Sequence, residues 1–149
     1  MTKADGTSLT GVSETALLTL VVRATEARRP DSVIDDPMAI KLVDAIDYDF
    51  SKFGFTRRQD MALRALTFDE YTRRYLIDHP SATVVALAEG LQTSFYRLNV
   101  QNVGDQFRWL TVDLAPIIEL RQRLLPQSNR ITLCAQSAWS AVNMPCTLL

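Results

Sequence analysis

Residues 84–98 read VVALAEGLQTSFYRL, and residues 109–125 read WLTVDLAPIIELRQRLL. The first stretch sits in a continuous run of small and β-branched residues, Ala82 to Ala88. Such a run predicts a strand buried on both faces, as strands of a parallel sheet are. A turn containing Glu89 and Gly90 follows, then a short helical stretch near Thr93 to Leu98. In the second stretch, Trp109 to Val112 predicts another buried strand, ending at Asp113. Pro116 to Leu125 has the spacing of an amphipathic helix and is stopped by Pro126; Arg130 to Ala135 is a third strand. Strand, helix, strand, helix, strand is the pattern of βαβ units in a parallel sheet.

Asp113 lies 23 residues after Gly90. A nucleoside ligand above a parallel sheet calls for this arrangement: a glycine lets the backbone come close, and an acid ending the next strand accepts hydrogen bonds from ribose hydroxyls. Only one glycine is present, so the dinucleotide fingerprint G-x-G-x-x-G is not met. Asp113 also has a purely local reading, as the N-cap of the helix that follows it.

Upstream, residues 1–12 read as a polar, frayed start. Ser13 is placed to cap a helix with apolar positions Ala16, Leu17, Leu20, Val21 and Ala24, closed by Arg28, Arg29 and Pro30. Asp36-Pro37 reads as an N-cap followed by proline at the first helical position, opening a helix to Ile46. Residues 47–56 are aromatic and irregular, expected to tuck under the helices. Met61, Leu63, Leu66, Phe68, Tyr71, Tyr75 and Leu76 have helical spacing, which predicts a long helix from Arg57 to Ile77, ended by His79-Pro80. The chain thus divides into a helical segment, 1–80, a partial sheet domain, 81–138, and a tail, 139–149.

Composition narrows the function. The 149 residues are enough for one domain, and 47% apolar with 22% charged residues is an ordinary globular balance. Sixteen Lys and Arg against seventeen Asp and Glu give a net charge of −1, which offers no electrostatic drive toward nucleic acid or an anionic membrane. Two Cys and one His cannot assemble a Cys/His zinc set within one chain, so no metal is expected. A Ser-His-Asp triad would have to use His79, at the end of a helix just before Pro80. Cys134 and Cys146 are expected as free thiols of a cytoplasmic protein. Met1 to Leu9 contains no apolar h-region, and the run Ala16 to Val22 is too short to span a bilayer. Residues 131–149 carry no charge, but Gln136, Ser137, Ser140, Asn143 and Pro145 interrupt their apolar residues. That favours a chain ending before its next structural unit is complete over a membrane anchor.

Three stretches carry a resemblance to a known family: GVSETALLTLVVRATEARRPDSVIDDPMAIKLVDAID at 11–47, LRALTFDEYTRRYLIDHPSATVVALAEGLQTSFYRL at 63–98, and FRWLTVDLAPIIELRQRLLP at 107–126. They resemble the S-adenosyl-L-methionine-dependent methyltransferases related to leucine carboxyl methyltransferases and polyketide O-methyltransferases, whose members often read LGCGLDTR or LAEGLQTS in the second stretch. The resemblance implies an α/β fold, with an N-terminal helical segment followed by the first half of a Rossmann-like class I methyltransferase parallel sheet. It implies S-adenosyl-L-methionine as cofactor and a small-molecule methyl acceptor bearing a carboxyl or hydroxyl group.

The same resemblance implies roles for four cofactor-binding residues. Arg64 matches the arginine that pairs with the carboxylate of the cofactor's methionine moiety, a task suited to a bidentate guanidinium. Its local alternative is an exposed helix arginine. Gly90 matches the glycine of the cofactor loop. Glu89 stands where other members have a small residue or the same Glu, and it either takes the cofactor's amino group or caps the turn. Asp113 matches the acid that holds the ribose hydroxyls. Asp69 and Arg97 are also family-like and are read as a structural salt bridge or cap. No residue stands out as a catalytic base. Family members are considerably longer, and the likeness stops abruptly after Ala138, as in a truncated product. The alternative to an active methyltransferase is therefore a non-catalytic remnant retaining part of the cofactor cleft.

Overall fold

The structure, a computed structural model, describes residues 3–7, 9–54, 58–99 and 103–137. The carboxy-terminal half of the described chain is a three-stranded parallel sheet. Its strands are β3 (Thr83–Leu87), β4 (Arg108–Asp113) and β5 (Ile131–Ala135), in the order β3-β4-β5. Register is fixed by the pairs Val84↔Trp109 and Trp109↔Ile131. Helix α4 (Ser94–Asn99) links β3 to β4, and α5 (Ala115–Leu124) links β4 to β5. The architecture is mixed α/β, the first half of a Rossmann-like sheet.

Side chains alternate across a strand, so each face of the sheet has its own fate. Val84 and Ala86 of β3 and Trp109 of β4 point into a core with Phe95 and Leu98 of α4, Phe107, and Leu76. On the opposite face Val85 and Leu87 are 45% and 46% exposed. The run Ala82 to Ala88 was expected to be buried on both faces; it is instead an edge strand, with nothing among the described residues paired to its outer side. An apolar composition suits a central strand, but whether it is covered depends on what lies beside it. An unpaired edge with exposed Val and Leu is a template for strand addition. The chain is therefore expected to self-associate with rising concentration, and Val85→Lys to suppress this. Sedimentation velocity checks it: a single monomeric species at every loading concentration would contradict the expectation.

The amino-terminal half is helical: α1 (Thr15–Ala27), α2 (Pro37–Ala45) and α3 (Asp60–Asp78). Ser13 does not cap α1; it lies in a 3-10 turn, Gly11–Glu14, that leads into the helix, and Glu14 occupies the cap position without a side-chain bond. Asp36 does cap α2, accepting the Ala39 N–H at 3.0 Å. The start of the chain is not frayed throughout. Ala4–Asp5 (β1) pairs in parallel with Ile46–Asp47 (β2), and Ala4 and Leu9 are buried. Ile46 therefore begins a strand instead of ending α2. Tyr48, Phe50 and Phe53 pack against the core formed by α1, α2 and α5, as expected of the aromatic segment, while Phe55 lies outside the described residues.

Helix α3 departs most from its pattern. Its buried residues are Ala62, Ala65, Asp69 and Leu76, whereas Leu63, Phe68, Tyr71 and Tyr75 are at least half exposed. The small residues let α3 sit close to its neighbours, and most of its large apolar side chains, Leu76 excepted, face away from them. No helix among the described residues is long and apolar enough to cross a membrane.

The two halves are joined by buried charge. Arg97 of α4 donates to Asp69 of α3 through Nε at 2.6 Å and to Asp36 through Nη1 at 2.6 Å. Thr93 Oγ1 donates to Asp36 as well, and Arg23 of α1 reaches Asp36 through Nε at 3.3 Å and the Leu91 carbonyl through Nη2 at 2.8 Å. All five residues are at most 5% exposed. Burial pulls the Arg23 guanidinium down to about 10, a fall opposed by Asp36, so it stays charged at neutral pH. Two arginines against two aspartates leave the cluster neutral, the condition for ion pairs to persist inside a fold. Asp69 and Arg97 thus have the structural salt-bridge role expected of them.

Candidate functional site

A cleft of about 610 Å³ runs along β3 to the C-terminal ends of β3 and β4, between the start of α1 and the middle of α3. This is the edge where open parallel sheets bind ligands, and the volume is within the usual range for a small-molecule site. Arg64, Glu89, Gly90 and Asp113 all line it. His79 does not: it caps the C-terminus of α3, beyond the other end of the strands, with Nδ1 3.1 Å from the Tyr75 carbonyl.

The turn after β3 bends in the left-handed region twice, at Ala88 (φ 50°) and Gly90 (φ 62°). An L-residue there is strained, and Ala88 bears that strain at the rim of the cleft. Gly90 avoids it and also lacks room for a side chain, since a Cβ would lie 3.0 Å from the Ala16 Cβ of α1. Gly90→Ala is therefore expected to destabilise the chain by roughly 1–2 kcal/mol from backbone strain alone, with a further cost from the crowding against Ala16. A thermal melt checks this, and an unchanged midpoint would contradict it.

Asp113 is 7% exposed and ends β4 facing this turn. Its Oδ2 accepts the Gly90 N–H at 2.7 Å, and its Oδ1 accepts the Leu114 N–H at 2.8 Å. A carboxylate oxygen has two lone-pair sites, so each retains one for a hydroxyl donor. The local reading of Asp113 as a cap is also partly met, because it binds the N–H of the residue that caps α5.

The Glu89 side chain does not cap the turn. Its Oε1 accepts from the Trp109 indole N–H at 3.1 Å and from the Thr111 hydroxyl, and lies 3.2 Å from Nη2 of Arg121 on α5. Burial pushes the Glu89 carboxyl up, and Arg121, Thr111 and Trp109 pull it back. Its Oε2 has no hydrogen-bond partner among the described residues. Arg64 is exposed on α3 and forms no hydrogen bond or ion pair among the described residues. The cleft therefore offers an unengaged guanidinium on one wall, and acid oxygens and a tight glycine turn on the other. That donor and acceptor set suits a ligand carrying a carboxylate, an amine and a ribose.

Sequence reading missed two contributors. Arg121 was legible only as one position of an amphipathic helix, yet it is 2% exposed and lies against the glycine turn. Ser13, Thr15 and Thr19 also line the cleft, brought there because α1 packs over Gly90. Cys134 is a free thiol, and Cys146 lies outside the described residues.

Comparison with known proteins places this chain in a family. Residues 16–144 match the family model described as leucine carboxyl methyltransferase, so the match runs past residue 138. The chain is 43% identical over 124 residues to the tetracenomycin polyketide synthesis O-methyltransferase TcmP of Streptomyces glaucescens, covering 81% of this chain and 44% of that protein. It is 31% identical over 130 residues to the S-adenosyl-L-methionine-dependent methyltransferase dpfgK of Gibberella zeae, covering 80% of this chain and 43% of that protein. The chain thus spans less than half the length of these relatives. No solved structure matches it.

Proposed function

This chain belongs to the leucine carboxyl methyltransferase family, and on that premise we propose that it binds S-adenosyl-L-methionine in the cleft above β3 and β4 and serves methyl transfer to an oxygen of a small-molecule acceptor. The observation that carries the proposal is the convergence of Arg64, Glu89, Gly90 and Asp113 on one cleft, although they come from three separate segments of the chain. Arg64 pairs with the ligand's carboxylate, Glu89 takes its amino group through Oε2, and the Gly90 turn lets the backbone approach. Asp113 accepts the ribose hydroxyls with the lone pairs its backbone bonds leave free.

When bound, the cofactor supplies a methyl group already attached to a good leaving group, the sulfonium sulfur. What remains for the protein is alignment of the acceptor oxygen with the methyl carbon and exclusion of water. An acceptor carboxylate is ionised at neutral pH and needs little base assistance, whereas a hydroxyl must lose its proton in the transfer.

Arg64→Met separates the two ends of the ligand. It keeps the aliphatic stem and removes the charge. Calorimetric affinity for S-adenosyl-L-homocysteine is expected to fall roughly tenfold or more, the worth of a charge-assisted bond, with adenosine binding nearly unchanged. Equal losses for both ligands would assign Arg64 to folding and remove it from the methionine end.

A further inference from the structure

We infer that Arg121 is the positioning residue of the cofactor turn, holding residues 89–92 in their binding shape from beneath. The inference rests on the proposed cofactor site and adds a residue that no motif marks. Arg121 Nη1 donates to the carbonyls of both Gly90 (2.8 Å) and Gln92 (2.9 Å), and Nη2 lies 3.2 Å from Glu89 Oε1. One guanidinium thus engages three of the four residues from 89 to 92. The Gly90 residue is gripped on both sides, its N–H by Asp113 and its carbonyl by Arg121. This matters because the left-handed Gly90 lies two residues after the left-handed Ala88, and a strained conformation persists only where its surroundings over-determine it.

The guanidinium itself is incompletely satisfied. Its Nε is buried with no hydrogen-bond partner among the described residues, while both terminal nitrogens face the turn. Planar, forked donors are what this task requires; a lysine ammonium, a point charge on a flexible stem, cannot reach two carbonyls and a carboxylate in the same geometry. The effect on ligand reaches through Gly90 and Glu89, whose positions Arg121 sets.

Calorimetric titration of the full 149-residue chain with S-adenosyl-L-homocysteine tests this. In Arg121→Lys, which retains a positive charge beside Glu89, the fold by circular dichroism should persist while affinity falls at least tenfold. A second comparison removes the complication of an unpaired buried acid. The double variant Glu89→Gln/Arg121→Met should bind at least tenfold more weakly than Glu89→Gln alone, and neither variant contains an unpaired acid at position 89. Amide hydrogen exchange should also be faster at Leu91 and Gln92 in both Arg121 variants. Affinity equal to the respective parent, with a folded variant, overturns the inference. Absence of binding by the wild-type chain instead overturns the cofactor reading, and this inference with it, a result visible before any variant is compared.

Discussion

Arg97→Met is expected to remove most of the chain's stability, or to prevent cooperative folding altogether. Arg97 is 5% exposed and makes five hydrogen bonds, to Asp69, Asp36, Thr93 and Ser94. Methionine fills most of the space but supplies no donor. Asp69 would lose the arginine that binds both its oxygens, and Asp36 would keep a single charged partner, Arg23, at the longer distance of 3.3 Å. Breaking a buried pair from one side costs about 3–5 kcal/mol, because it leaves an uncompensated charge out of water. A whole domain is stable by only about 5–15 kcal/mol. The loss falls where α1, α3 and α4 meet, so both halves of the molecule should be affected together. A urea titration checks this: a midpoint lowered by the equivalent of less than about 1 kcal/mol, the scale of an exposed pair, would contradict the account of the cluster.

Asp113→Ala should have the largest effect on ligand. It removes the acceptors assigned to the ribose and also frees the Gly90 and Leu114 N–H groups that shape the turn. One charge-assisted hydrogen bond is worth about 1.5–3 kcal/mol, and each 1.4 kcal/mol is a factor of ten in affinity. A loss of at least tenfold for S-adenosyl-L-homocysteine follows from the ribose contacts alone, and disorder of the turn adds to it. Asp113→Asn keeps one side-chain oxygen and should lose less. Unchanged affinity in Asp113→Ala, with the fold intact by circular dichroism, would remove the ribose role.

The sheet was legible because its signals are local. β-branched runs, a glycine turn, and the prolines at the two ends of α5 mark β3 through β5 with errors of one or two residues. Gly90 and Asp113 stood out for the same reason, being fixed to the ends of adjacent strands. What escaped notice depends on distant partners. Arg23 is 13 residues from Asp36, and Arg97 is 61 residues from it, so only the folded chain shows one charge cluster. Periodicity identified α3 but not which of its faces is inward, because a close approach by Ala62 and Ala65 outcompeted burial of Phe68 and Tyr71. The two-residue ladder of β1 and β2 is made by backbone groups and leaves no side-chain pattern to read. Arg121 was hidden because an arginine on an amphipathic helix ordinarily faces solvent, and here it turns inward to the carbonyls of Gly90 and Gln92.

Ligand is expected between the Gly90 turn and the end of β4. The most direct test is a titration of the isotopically labelled chain with S-adenosyl-L-homocysteine, followed by amide chemical shifts. The Gly90 and Leu114 amides, both bonded to Asp113, are expected to shift in a saturable manner, while the amide of His79, beyond the opposite ends of the strands, stays in place. Saturable shifts at His79 with Gly90 and Leu114 unmoved, or no shift anywhere at ligand concentrations well above the protein's, would contradict it.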